Sequence, residues 1–367
     1  MIITLYSLLA LSTLGYGLFA LYSALGLLKK SRTGNNDSKP SVAVVIAARN
    51  EESNIEKLLS DLADQDYSGQ LDIYVADDRS TDSTGKLIDK YAHQHDNFHS
   101  VKILERSTHM TPKKNALTEC IKRTTAEIIL STDADCRLGT SWVSAAVPHF
   151  DEDTGILVGY SEVDSSSLFA EYQALDFAAI MVTNAGMMVQ GYAWSGSGQN
   201  LAYRRSAFTQ IGGFNPVASR VSGDDVYLVQ TISRKTDFGA KFIFDQRHFV
   251  KTAPMDSVKA FINQRIRWSS NSRGLEKNDP LFFSFLLTAF LTNFLILLGI
   301  LTGLNDMGLW IPIIVKFFIE GLVLILGART FGYWHLIKWF PVWFIVQPVY
   351  ITCVGLLGLR GKFTWKP

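Results

Sequence analysis

Cysteine is scarce in this chain: Cys120, Cys136 and Cys353 are the only three in 367 residues. They are odd in number and form no Cys-x-x-Cys pair. That excludes a disulfide framework and a zinc ribbon, and reduced thiols fit a cytoplasmic catalytic domain. A surplus of charge is also missing, with 35 Lys and Arg against 34 Asp and Glu. Without a basic footprint, nucleic acid is not an expected partner. No G-x-x-x-x-G-K-[ST] phosphate loop occurs. Gly196-Ser197-Gly198 lacks the later glycine and the strand-to-helix context of a dinucleotide fingerprint. His93, His95, His99 and His109 cluster without metal-ligand spacing and read as a solvated stretch.

What is abundant is apolar sequence. Hydrophobic residues make up 47% of the chain and mean hydropathy is +0.12, but the apolar residues gather at the two ends. Ile2–Leu28 is free of charge and longer than the ~20 residues needed to cross a bilayer. No basic residue precedes it and no small-x-small cleavage site follows, so it reads as a retained anchor. Lys29, Lys30 and Arg32 follow at once. They place the next segment in the cytoplasm and the N-terminus outside. Residues 281–304, 309–326 and 337–357 are three further candidate spans. Lys316 and Glu320 stand four apart in the second of these, on one helix face. They form either a buried neutralising pair or a polar wall along an acceptor path. Four spans would leave the C-terminus outside, against the preference of Arg360, Lys362 and Lys366 for the inside. The expected organisation is an anchor at 1–30, a cytoplasmic catalytic domain at 38–255, an interfacial amphipathic helix at 256–280 and a membrane region at 281–360.

Between the ends, apolar runs alternate with helical spacings. Residues 42–47, 72–76, 101–104 and 127–131 read as strands. Residues 52–62, 81–91 and 116–123 read as helices, and 30–39 as a polar linker. Alternation of this kind predicts a mostly parallel sheet covered on both faces, with ligands at the carboxyl ends of its strands. Acidic residues fall at those ends: Asp77 and Asp78 after the second strand, Asp133 and Asp135 after the fourth.

Asp133-Ala134-Asp135 offers two hard oxygen ligands for Mg²⁺ or Mn²⁺ bound to a diphosphate. In Asp77-Asp78-Arg79-Ser80-Thr81-Asp82, Ser80 or Thr81 can cap the next helix, or a carboxylate can bond a nucleobase or ribose. Lys113-Lys114 precedes a helical stretch, where a cation opposes the helix dipole unless a diphosphate binds there; a solvated basic pair is the alternative. Asp224 or Asp225, after Gly223, caps a helix or acts as a general base. Gln264-Arg265-Ile266-Arg267-Trp268 lies in an amphipathic stretch just before the second span. It reads as a helix on the membrane surface or as an Arg and Trp wall at the diphosphate and acceptor.

Taken in order, these residues resemble a known family. The set is Ala48-Arg49-Asn50-Glu51-Glu52, Asp77-Asp78, Lys113 with Ala116-Leu117, Asp133-x-Asp135, Gly212-Gly213-Phe214, Gly223-Asp224-Asp225 and Gln264-x-x-Arg267-Trp268. It is similar to inverting glycosyltransferase family two, in the branch with ceramide glucosyltransferases, hyaluronan synthases and cellulose synthases. The resemblance implies a GT-A (Rossmann-like) α/β domain flanked by transmembrane helices. It implies that Glu51, Asp77, Asp78, Lys113 and Asp133 bind a nucleotide-sugar, a UDP-sugar in this reading, and that Asp133 and Asp135 hold the metal. Asp225 would be the general base. Asp224 stands where Glu is usual, which leaves the base open between the two. Gln264, Arg267 and Trp268 would wall the acceptor and diphosphate, with Asn200 in a substrate-lining loop. A lipid acceptor at the bilayer surface is expected, because four spans are few for a polymer pore. A processive polysaccharide synthase is the alternative within the family. An inactive membrane scaffold and a nucleotidyltransferase are alternatives outside it.

Overall fold

The computed structural model describes residues 2–29 and 37–360. Lys30, Arg32, Lys362, Lys366 and the first seven residues of the 30–39 linker lie outside the described residues. The chain divides into two compact units. One is helical and collects Met1–Lys29, Ser165–Gln190 and Pro254–Pro367; the other is α/β and collects Lys30–Asp164 and Gly191–Ala253. The stretch Ser165–Gln190, inside the 38–255 boundary read from sequence, therefore belongs with the helices.

In chain order, the helical unit supplies α1 (Ile2–Leu28). The α/β unit then begins with β1 (Val42–Ala48), α2 (Ile55–Ala63), β2 (Leu71–Asp77), α3 (Thr84–Gln94) and β3 (Phe98–Lys102). It continues with α4 (Pro112–Ile121), β4 (Ile128–Ser131), β5 (Cys136–Leu138), α5 (Trp142–Ala146), β6 (Thr154–Gly159) and β7 (Ser161–Val163). After α6 (Leu168–Val189) of the helical unit come β8 (Leu201–Arg204), α7 (Arg205–Gln210), α8 (Asp224–Lys235), β9 (Gly239–Ile243) and β10 (Val250–Thr252).

The main sheet runs β3-β2-β1-β4-β8-β6-β9. β1 to β4 are mutually parallel, β8 is antiparallel to β4 and β6, and β9 returns parallel to β6. β1 (VAVVIAA) is central and buried along almost its whole length, as a strand with helices on both faces must be. α2 buries Ile55, Leu58, Leu59 and Leu62, an i, i+3, i+4, i+7 stripe, against the sheet. A small sheet, β5-β10-β7, stands beside it, with β10 antiparallel to β5 and parallel to β7. Trp142, fully buried, anchors the core beneath both sheets.

The helical unit adds α9 (Val258–Ser269), α10 (Leu275–Asn278), α11 (Pro280–Leu301), α12 (Met307–Phe331) and α13 (Phe340–Arg360). Four helices among the described residues are long and apolar enough to cross a membrane: Ile2–Leu28, Pro280–Leu301, Met307–Phe331 and Trp334–Arg360. α6, α9 and α11 start at Ser167, Ser257 and Asp279, whose side chains accept from the backbone N–H three residues on. α1 meets α6 at backbone distance: a Cβ on Gly26 would clash with the carbonyl of Gly186, and one on Gly186 with that of Ser23. Lys316 and Glu320 are buried and paired at 2.8 Å, and the Tyr16 hydroxyl donates to the same carboxylate at 2.7 Å. The pair thus joins α12 to α1.

Candidate active site

Two loops at the carboxyl ends of β1 and β2 are stitched together. Asn50 (φ +52°) and Arg79 (φ +60°) both adopt left-handed backbone, tolerable because each loop is held by the other. The Asn50 N–H donates to Ser80 Oγ at 3.1 Å, and Asn50 Oδ1 accepts from the Thr81 N–H at 2.9 Å. The Glu51 N–H donates to Thr84 Oγ1 at 2.8 Å, and Glu51 Oε2 accepts from Asn54 Nδ2 at 3.0 Å. Asp77 Oδ1 accepts from the Ser80 N–H at 3.0 Å. Asp78 is buried, and its carboxylate pairs with Arg79 Nε at 2.8 Å. The cap of α3 is Ser83, without a side-chain bond, so Ser80 and Thr81 are loop ties rather than caps.

β4 lies on the other side of β1, so its end is about 10 Å from that of β2 at the usual strand spacing. There Asp133, Ala134 and Asp135 turn into β5, and the Cys136 N–H closes the turn on the Asp133 carbonyl at 3.2 Å. Asp133 Oδ1 pairs with Lys113 Nζ at 2.5 Å. Lys113 stands in the first turn of α4 behind Thr111 and Pro112. Desolvation alone would push its pKa down. Asp133, Asp224 and then Asp225 outweigh that, and the net shift is upward. Those carboxylates offset the unfavourable dipole that a cation meets at a helix start. Lys114 is not half of a solvated basic pair. It is buried, donates to Thr111 Oγ1 and to the Arg220 carbonyl, and burial pushes its pKa down.

Asp224 and Asp225 enter through Gly223, the N-cap of α8, whose φ of +86° suits glycine. Neither aspartate is the cap itself. Both sit in the first helical turn, where negative charge is favoured, and Asp225 Oδ1 accepts from the Val226 N–H at 2.8 Å. Lys113, Asp133, Asp224 and Asp225 are therefore one electrostatic group.

Asn200 requires a correction. It is fully buried, and its amide is taken up inside the fold. Oδ1 accepts from Trp142 Nε1 at 3.0 Å, while Nδ2 donates to the carbonyls of Tyr160 at 3.0 Å and His248 at 2.8 Å. This clamp ties α5, β6 and the start of β10 together and leaves no amide hydrogen for a substrate. Its partner His248 stacks on Trp142, with centroids 5.6 Å apart and planes 6° apart, and burial depresses its pKa to about 4. Sequence reasoning missed His248 and Trp142, because nothing in their spacing marks them.

Gln264, Arg267 and Trp268 lie on α9 of the helical unit. Trp268 packs on Phe177, with centroids 5.5 Å apart.

The acidic pair that follows β4 has the donor atoms of a cation site. No group of three or more His, Cys, Asp or Glu converges among the described residues, so there is no all-protein cage. Mg²⁺ and Mn²⁺ need none when a substrate diphosphate and water complete an octahedron around one or two carboxylates. Asp133 and Asp135 supply that minimal donor set. The donor chemistry fits a cation that arrives with a nucleotide.

The model of "Glycosyl transferase family 2" matches residues 43–212, and that of "Glycosyl transferase family group 2" matches 128–354, well over half of the chain. A beta-monoglucosyldiacylglycerol synthase from Nostoc sp. is 35% identical over 118 residues, 32% of this chain and 25% of that protein. An N-acetylglucosaminyltransferase from Rhizobium meliloti is 25% identical over 246 residues, 64% of this chain and 56% of that one. The chain thus spans a quarter to about half of the length of these relatives. Among solved structures, a mannosyltransferase from Pyrobaculum calidifontis, in complex with GDP-Man and Mn²⁺, superposes with a TM-score of 0.69 at 19% identity, covering 99% of this chain and 100% of that one. The fold is the GT-A α/β arrangement with apolar helices at its flanks.

Proposed function

Because the chain belongs to glycosyltransferase family 2, we propose that it moves a sugar from a nucleotide-sugar, a UDP-sugar in our reading, to a lipid acceptor at the membrane surface. The observation that carries this is the 2.5 Å pairing of Asp133 with the Lys113 ammonium beyond the carboxyl end of β4, within electrostatic reach of Asp224 and Asp225. Such a cluster suits a diphosphate leaving group on one side and proton removal on the other. The name of the glycolipid synthase among the relatives supports a lipid acceptor, as do the four apolar helices. The positive flank at Lys29 supports a cytoplasmic α/β unit.

Each residue then has a task. The stitched loops with Glu51, Asp77 and Asp78 hold the nucleoside. Lys113 stays charged and releases Asp133 to meet the diphosphate. Asp133 and Asp135 would hold Mg²⁺ or Mn²⁺, whose positive charge would favour departure of the nucleoside diphosphate. Asp225 takes the proton from the acceptor hydroxyl as that oxygen attacks the anomeric carbon from the face opposite the leaving group, which inverts the configuration. Asp224 is the second candidate base. Gln264, Arg267 and Trp268 serve the acceptor.

Membranes carrying the protein, incubated with a panel of radiolabelled nucleotide-sugars, should place label in solvent-extractable lipid, identified by mass analysis. Label in an aqueous polymer instead would establish a polysaccharide synthase. Free pyrophosphate in place of a nucleoside diphosphate would establish a nucleotidyltransferase. A chelator should abolish transfer, and added Mn²⁺ or Mg²⁺ should restore it.

A further inference from the structure

Arg265 is the charged residue of the Gln264–Trp268 segment that the roles above leave unused, yet it is the most buried of the five, with 4% of its side chain exposed. A guanidinium withdrawn from water is costly unless its charge and its donors are met. Here the charge is paired and two of the nitrogens donate. Nε donates to Asp176 Oδ2 on α6 at 2.8 Å, and that carboxylate is itself 4% exposed. Nη1 donates to Gln264 Oε1 at 2.6 Å. The guanidinium carbon Cζ lies 4.2 Å from the ring centroid of Trp268 and 4.5 Å from that of Phe261, distances at which a desolvated cation–π contact is strong. Asp176 is held in turn by α13: Trp343 Nε1 donates to Oδ1 and the Tyr350 hydroxyl to Oδ2, both at 3.2 Å. Tyr350 also stacks on Phe261, with planes 15° apart.

One buried cation therefore touches two of the three α9 residues assigned to the acceptor, and one carboxylate fastens that cation to two other helices. We infer that Arg265 and Asp176 are positioning residues for acceptor transfer: the pair fixes the Gln264 amide and the Trp268 ring by locking α9 to α6 and α13. This rests on the acceptor role proposed for Gln264 and Trp268. Only a planar fork can donate to Asp176 and Gln264 while its central carbon sits within 4.5 Å of two ring centroids, so lysine is not an equivalent.

The test uses the full-length protein in membranes with the radiolabelled donor panel, following label into lipid and, separately, free sugar released to water. Arg265→Lys and Asp176→Asn should lower transfer into lipid by roughly 10- to 100-fold, the scale of a misplaced reacting partner. They should leave the KM for the donor and hydrolysis to water close to wild type, although Asp176→Asn strands a buried guanidinium and should lower the melting midpoint. Trp268→Ala should lower transfer as well, and its effect should not multiply with that of Arg265→Lys, because both act through one surface. If Arg265→Lys transfers like wild type while Trp268→Ala does not, the inference falls and the acceptor reading stands. If lipid transfer and hydrolysis fall together with the melting midpoint, the pair is merely structural and the inference falls. If Trp268→Ala costs nothing, or wild type labels no lipid, the acceptor reading fails and takes the inference with it.

Discussion

Lys113 and the three carboxylates around it lend themselves to single substitutions. Asp225→Asn keeps the shape of the side chain and removes its basicity. Transfer is expected to fall by about 10²–10⁴-fold, with nucleotide binding retained by isothermal titration; unchanged turnover in a folded variant would move the base to Asp224. Asn200→Ala tests the clamp. It strands the Trp142 N–H and two backbone carbonyls in the core, so the α/β unit should lose roughly 2–4 kcal/mol, read as a lower midpoint in urea, with the donor KM unchanged. His248 gives a pH signature. Its folded pKa of about 4 lies below the ordinary 6.5, so the unfolded chain binds the extra proton between those values. Stability from this group is complete above pH 6.5 and falls by about 1.4 kcal/mol per pH unit toward pH 4. The wild-type denaturation midpoint should drop across that window, and His248→Gln should flatten the drop. Asp133 was legible in the sequence as a strand-end aspartate, because the apolar run of β4 closes at Ser131 just before it. Asn200 misled because an amide in a loop looks the same whether it faces a ligand or a core.

Among the elements, those with strong periodicity were read close to their true bounds. Strands β1, β2 and β4 and helices α2 and α3 came within a few residues, since burial of one stripe or one continuous run leaves little freedom. β3 did not. Residues 101–104 looked most strand-like, but the strand is Phe98–Lys102. Its register is set by pairing with β2 from Ile73↔Phe98 to Asp77↔Lys102, and Leu104 is left 82% exposed. An edge strand takes its bounds from its neighbour, which no local pattern records. α6 was missed outright, because it lies in a stretch mixing apolar and small residues that no strand alternation brackets. Its contact with α1 makes a test at this scale. Gly186→Val would push a branched side chain into the Ser23 carbonyl. Overpacking of this kind costs about 1–3 kcal/mol, so the melting midpoint in detergent should fall, whereas Gly239→Ala, whose added Cβ would meet its nearest neighbour at an ordinary 3.6 Å, should cost less.

At the scale of the whole molecule, the sequence placed the four apolar helices and the α/β insert between them, because length and hydropathy suffice for both. It could not divide the chain between the units, since Ser165–Gln190 joins the helices from the middle of the sequence. Orientation has its own measurement. Lys39→Cys, at an exposed position just before β1, should react with an impermeant maleimide only from the cytoplasmic side. The tyrosines of α1 carry a consequence for biogenesis. Tyr6 donates to Asp306 and Tyr16 to Glu320, partners 300 and 304 residues further along. At roughly 5–20 residues per second, a ribosome needs about 15–60 s to deliver them. For that interval the first helix holds two hydroxyls without their final partners. A nascent chain stalled before α12 should therefore be the form most open to capture by an insertase or a quality-control protease.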